Sequence, residues 1–390
     1  MKETKHCSPS MANFFDIGAR SVTNPRTESS TKSAVGKWLT FSVSVALTVI
    51  SFSLPPNASA ASTADCTAII AYTNSALGGD QEALHRLRQL ADQGDAFAQA
   101  MMANVLYATS TKYYLLLSTS GNAMKYARQS AHEGNGLGMS TYGAFTEFVG
   151  ERDHKINLVN EGRRLVKESF PLLQKGSSGS CPAPYLLALS EMYGTGGVLT
   201  QNYSRAVSVA HESAALDYLP ADAYLGQLYG YKNNPHFDQT KAVIWARRAA
   251  MRGYLSSITQ LGEFYEVGTG VNKDPAKALA LYKEAADRGY PIAEYKVGLA
   301  YLRRLVALPA DKQKQSRYLK QARSMLATAV TSGYAPAMPA LMYSMGGAQT
   351  NCSSPNESAT NKKLAEFLAE FERENNLPPL RKANCKDQKP

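Results

Sequence analysis

The chain is poor in the residue patterns that carry chemistry. No two of its five cysteines stand in Cys-x-x-Cys spacing, and no Cys/His cluster has the spacing of a zinc site, which excludes the usual redox pair and structural metal. His85, His132, His154, His211 and His236 show no metalloprotease spacing and no pairing with a Ser or Cys nucleophile. Gly134-Asn-Gly-Leu-Gly138 has the glycines of a phosphate loop, but no strand precedes it, no Gly-Lys-Ser/Thr follows, and it falls at a repeat junction. Lys and Arg form no run interleaved with aromatics, so nucleic acid is not an expected partner. No catalytic residue, cofactor or metal is assigned, and the protein is expected not to be an enzyme.

A long apolar run is also missing. Trp38–Leu54, after Lys37, is free of charge over 17 residues and rich in Ser and Thr. That is short of the ~20 residues a spanning helix needs. Pro55-Pro56 ends it, and Asn57-Ala-Ser-Ala60 places small residues where a signal peptidase reads them. Residues 1–60 are therefore read as a leader and signal peptide cleaved near Ala60, leaving no stable membrane span. The expected location is the periplasm, or outside the cell. Cleavage removes six basic and three acidic residues and lowers the net charge from +10 to +7. A moderately basic protein suits an acidic partner, an anionic polysaccharide or a membrane surface.

What the chain does have is a repeat. Tyr224–Tyr254 and Gln260–Tyr290 carry Leu-Gly, Tyr, Asp, Lys-Ala, an aromatic, Ala-Ala and Gly-Tyr in the same order, 36 residues apart. Gly94, Gly134, Gly176, Asp217, Gly253, Gly289 and Gly333 mark the ends of seven such units, at gaps of 40, 42, 41, 36, 36 and 44 residues. A near-constant period of this size means stacked units rather than one globular core. Each marked residue has a mechanical reason. A glycine after a helix takes the left-handed cap. Asp274-Pro275 starts a helix as N-cap and first residue. Ala-Ala pairs and Gly262 let neighbouring helices approach.

In these residues the chain resembles the Sel-one-like repeat family, relatives of tetratricopeptide repeats. The likeness is specific over Tyr185–Leu216, Tyr224–Gly253 and Ile258–Gly289 and weaker in Asp95–Gly134, Gly136–Gly176 and Pro291–Gly333. It implies an all-α, right-handed α/α superhelical solenoid of about seven helix pairs that acts in protein–protein interaction. The expected organisation is a helical cap or first repeat over 61–94, repeats over 95–345, and a loop, capping helix and tail over 346–390. Exported members often serve exopolysaccharide assembly and secretion or regulate envelope signalling. The implied function is a non-enzymatic periplasmic scaffold that holds an envelope protein or peptide in its concave groove. The alternatives are a regulator restraining a sensor kinase and a secreted host-interaction factor.

The first helix of each pair is expected to line the concave side. On that basis Glu191, Gln227, Ser256, Thr259, Glu263, Glu266 and Tyr295 are the candidate groove residues. The basic residues from Arg303 to Arg323 read as a solvated face or a docking patch for an acidic ligand. Four cysteines follow the leader: Cys66, Cys181, Cys352 and Cys385. Repeats in a solenoid touch only their neighbours, so Cys66 and Cys181, about three repeats apart, are not expected to meet. Cys352 and Cys385 flank one predicted helix and are expected to pair.

Overall fold

A computed structural model describes residues 65–109, 121–195, 199–306 and 312–345, together with Arg373 and Asn375. The signal peptide, the Gly346–Thr360 loop, the capping helix apart from those two residues, and the Cys352–Cys385 pair lie outside the described residues.

The described chain is all α-helix. In order the helices are α1 (Asp65–Leu77), α2 (Gln81–Asp92), α3 (Ala96–Thr109), α4 (Asn122–His132), α5 (Gly136–Arg152), α6 (Ile156–Ser177), α7 (Ala183–Thr195), α8 (Tyr203–Ala215), α9 (Leu219–Gly230), α10 (Gln239–Met251), α11 (Leu255–Val267), α12 (Pro275–Asp287), α13 (Pro291–Val306), α14 (Lys312–Thr331) and α15 (Met338–Ser344). They pack as consecutive pairs, α1 on α2 through α13 on α14, with α15 against the last pair. The odd-numbered helices form the inner layer and the even-numbered ones the outer layer.

Local chemistry sets the starts and stops. Asn202, Asp238 and Asp274 hold the same place in successive units, and each side chain accepts from a backbone N–H of the helix it begins. Each such cap stabilises a helix by about 1 kcal/mol. At the unit ends, Gly94, Gly134, Gly253, Gly289 and Gly333 all have positive φ, and Asp217 takes the same left-handed turn at φ 58°. Gly176 departs from the expectation, because α6 runs straight through it. A Cβ there would overlap the Tyr185 ring, so this glycine serves close packing instead of a turn. Gly262 has the role expected of it: a Cβ would lie 2.6 Å from the fully buried Tyr282 ring.

The array does not stay an open spiral. It curls until α1 crosses the concave side and meets units three to five places away. Asn74 at the end of α1 donates to the Asp217 carbonyl at 2.8 Å and accepts from the Leu219 N–H at 3.0 Å. Arg288 donates to the carbonyls of Gly253 and Gly78. Tyr218 Oη reaches Met101 Sδ at 3.7 Å. The curl also brings Cys66 and Cys181 together as a disulfide, with Cα atoms 6.1 Å apart. This overturns the expectation that they would not meet. The nearest-neighbour rule holds for a shallow superhelix, whereas here the accumulated curvature returns the first helix onto the middle of the array.

The two-way amide contact of Asn74 acts like a stretch of backbone pairing between α1 and the α8–α9 junction. Asn74→Ala is expected to cost about 1–2 kcal/mol in a urea melt, since two backbone groups lose their partner at a partly exposed site. Asn74→Asp keeps the acceptor alone and is expected to recover part of that loss.

Candidate functional site

Where α1 closes over the concave side it leaves a partly enclosed cavity of ≈ 120 Å³. One water needs about 10–15 Å³ on this measure, so the space suits a side chain or a small ligand. The inner helices α3, α5, α7, α9 and α11 all contribute to its wall, and Leu77 of α1 contributes the lid. The surface is largely aromatic and aliphatic, with Tyr107, Phe145, Tyr218, Tyr224, Tyr254 and Tyr290 among the lining residues. Tyr218 and Tyr254 stand at the N-caps of α9 and α11, so the residue after each unit-ending turn points its helix into the array and supplies cavity wall.

Of the seven candidate groove residues, Glu191, Gln227 and Ser256 line this cavity. The other four lie elsewhere. Thr259 is buried, and its hydroxyl donates to the Leu255 carbonyl at 3.0 Å. Glu263 pairs with Lys296. Glu266 accepts from Tyr282 Oη at 2.8 Å and pairs with Arg303. Tyr295 packs against Tyr334, with ring centroids 5.5 Å apart. Thr259 is tied to its own helix and Glu266 to Tyr282 of its own unit, while Lys296, Arg303 and Tyr334 lie further along the chain and hold Glu263, Glu266 and Tyr295. Helical spacing on one helix does not show that second set of partners.

The basic stretch divides in a similar way. Arg303 also donates to the Asn375 carbonyl, and Arg323 donates to the Ser344 carbonyl at 2.6 and 2.9 Å. Lys312, Arg317 and Lys320 are exposed on α14. His211 is a packing residue: its Nε2 lies 2.8 Å from Tyr229 Oη and its ring 5.2 Å from that of Trp245. Among the described residues no group of three or more His, Cys, Asp or Glu is placed to hold a metal ion. None of the described helices is long and apolar enough to cross a membrane.

The Sel1 repeat model matches residues 183–217, 220–254, 255–290 and 291–322, four units in register with α7 through the start of α14. Residues 183–322 are Sel1 repeats. Solved structures similar to the chain include the following two. One is a Sel1 repeat protein from Oxalobacter formigenes, at 19% identity over 70% of this chain and 99% of that one, with a TM-score of 0.41. The other is a protective antigen of uropathogenic Escherichia coli strains displaying an SLR fold, at 17% identity over 75% of this chain and 72% of that one, with a TM-score of 0.36. No curated protein matches the chain. Sel1-repeat proteins are generally non-catalytic and mediate protein–protein interaction.

Within the Sel1-repeat array, Glu191 is electrostatically isolated. It is the only charged residue among the described ones that line the cavity. Its carboxyl has no hydrogen-bond or ion-pair partner among them, and burial alone pushes its pKa up to about 8. Burial raises the Tyr218, Tyr224 and Tyr254 hydroxyls as well, with Glu191 adding to each shift. Asp222 differs. Burial lifts it to about 6, although Arg248 and Arg252 pull it back down. Arg248 Nε lies 3.0 Å from its carboxylate.

A folded-state pKa above the ordinary 4.5 gives stability that is complete at low pH. Between about pH 4.5 and 8 the unfolded chain ionises Glu191 while the folded chain holds its proton, so stability falls across that window and is lowest above it. Asp222 and Glu294, raised to about 6 and about 7, slope the same way. The Glu191 contribution is thus read as a difference. Glu191→Gln is expected to match the parent at pH 4.5 and to be more stable by about 1–3 kcal/mol at pH 8.5. Chemical melts at the two pH values check this, and an equal difference at both would sink it.

Proposed function

We propose that this Sel1-repeat protein is an exported scaffold that holds a segment of an envelope protein on its concave side. The observation that carries the reading is the cavity: five successive inner helices converge on it, and its wall is largely aromatic and aliphatic, with one carboxyl, Glu191, and two amides, Asn104 and Gln227. Aromatic anchor pockets of this kind hold the few side chains that dominate a protein interface. The Cys66–Cys181 bond supports export, since disulfides persist in oxidising compartments. The Trp38–Leu54 run and the Asn57–Ala60 site support signal-peptide cleavage and a periplasmic location. Exopolysaccharide assembly or secretion is the process the family resemblance points to.

The test is site-specific photocrosslinking. A crosslinking residue at Gln227, inside the cavity, is expected to give one dominant protein adduct in intact cells. The same residue at exposed Met251 on the outer layer is expected to give none of that product. Equal adducts from both positions, or none from Gln227, would overturn the scaffold reading. N-terminal sequencing that finds residues 1–60 still attached would overturn the export reading.

A further inference from the structure

A carboxyl inside an aromatic cavity, with no cation among the described residues that line it, is an unbalanced arrangement. Leaving a polar or ionisable group buried without a partner is costly. Glu191 lines the cavity, and no hydrogen bond or ion pair to a described residue holds its carboxyl there. Gln227 holds the equivalent place one unit on and faces the same cavity. The site therefore offers a carboxylate oxygen, an amide oxygen and the hydroxyls of Ser140 and Ser256, surrounded by aromatic rings. A primary ammonium has three donors and no acceptor. It is attracted to carboxylates and to aromatic faces alike.

We propose that the cavity is a recognition pocket for a lysine side chain presented by the bound protein segment, with Glu191 as its counter-ion and the tyrosines around its alkyl stem. This rests on the scaffold reading and adds the chemistry of what is held. A cavity of ≈ 120 Å³ takes an alkylammonium chain but not a folded element, so the partner inserts a side chain while its backbone stays outside. Binding has a signature in protons. An empty pocket keeps Glu191 protonated at neutral pH, and an ammonium favours the carboxylate, so occupancy releases a proton to solvent. The groups facing Glu191 are the hydroxyls of Tyr218, Tyr224 and Tyr254, all held neutral, and they contribute nothing to that release.

Calorimetry on the full mature chain tests the idea with three probes: N-acetyl-Ala-Lys-Ala-amide, the same peptide with norleucine for lysine, and n-butylammonium. The lysine peptide is expected to bind at least about tenfold tighter than the norleucine peptide. It should release close to one proton per site at pH 7, read from heats in phosphate and Tris buffers. Glu191→Gln should abolish both the preference and the proton release while melting no lower than the parent. Ala188→Leu, which narrows the cavity without touching charge, should weaken the lysine peptide too.

Equal binding of lysine and norleucine peptides, or a preference that survives Glu191→Gln, overturns the proposal. Binding of n-butylammonium as tight as the lysine peptide overturns the protein source in favour of a free amine. Crosslinked adducts from Gln227 that persist unchanged in Glu191→Gln defeat this proposal alone. Lysine-peptide binding without any cellular adduct defeats the scaffold reading alone.

Discussion

Removing the Cys66–Cys181 bond is expected to lower stability by about 4–5 kcal/mol, the loop-closure entropy of a span of this length. The two residues are 115 apart in sequence, so the bond restricts a large part of the unfolded chain. The loss should be local in the folded state. Helices α7 to α14 are joined chiefly by contacts between neighbouring pairs, whereas α1 is held over the cavity by Asn74, Arg288 and the disulfide. Hydrogen exchange on the reduced protein, or on Cys66→Ser with Cys181→Ser, should show faster exchange in residues 65–92 and little change in 219–290. The melting temperature should fall clearly with reductant. Peptide mapping that finds Cys66 free in the purified protein, or a melt that reductant does not move, would refute the assignment.

Gly162→Ala is expected to destabilise by about 2–4 kcal/mol, against the usual sign for an exposed helix interior, where alanine gains about 0.5–1 kcal/mol over glycine. The reason is backbone contact. A Cβ at Gly162 would lie 2.5 Å from the Gly143 carbonyl oxygen and closer still to the Glu147 backbone nitrogen. Gly136, Gly143 and Gly150 repeat at intervals of seven along α5, and a Cβ at any of them would press within 3 Å of α6 atoms. They form one stripe on which α6 lies without intervening side chains. No relief is available, because backbone atoms block the methyl on both sides. Displacing α5 would also move Leu137, Ser140, Thr141, Ala144 and Phe145 in the cavity wall. Gly230→Ala is the control. Its Cβ would find nothing nearer than 3.7 Å, so it should be neutral or slightly stabilising. Equal melting temperatures for the two variants would disprove the account.

Much of the framework was readable from single positions. Asp274, Asp238 and Asn202 announce helix starts because a capping side chain acts on a backbone N–H two or three residues away. Gly253 and Gly289 announce helix ends because the left-handed turn is a property of one residue. Gly262 could be read as a close-approach site because the unit supplies its own partner, Tyr282, on the paired helix. The candidate groove was readable in part. Periodicity placed Glu191, Gln227 and Ser256 on inner faces, and they reach the cavity. It also placed Thr259, Glu263, Glu266 and Tyr295 there, and the structure engages those with neighbouring groups. The wall tyrosines had a signal in the recurring residue after each unit end, Tyr218, Tyr254 and Tyr290, but nothing in one unit says that they converge.

The sequence by itself determined the helix pairs, their caps, their turns and the family, because those follow from interactions within a few residues or within one pair. The tertiary structure decided the closure by α1, the pairing of Cys66 with Cys181, and the cavity with its isolated Glu191. All three depend on how far the array bends. Each junction contributes a small rotation, and only the sum over several units carries the first helix back across the concave side.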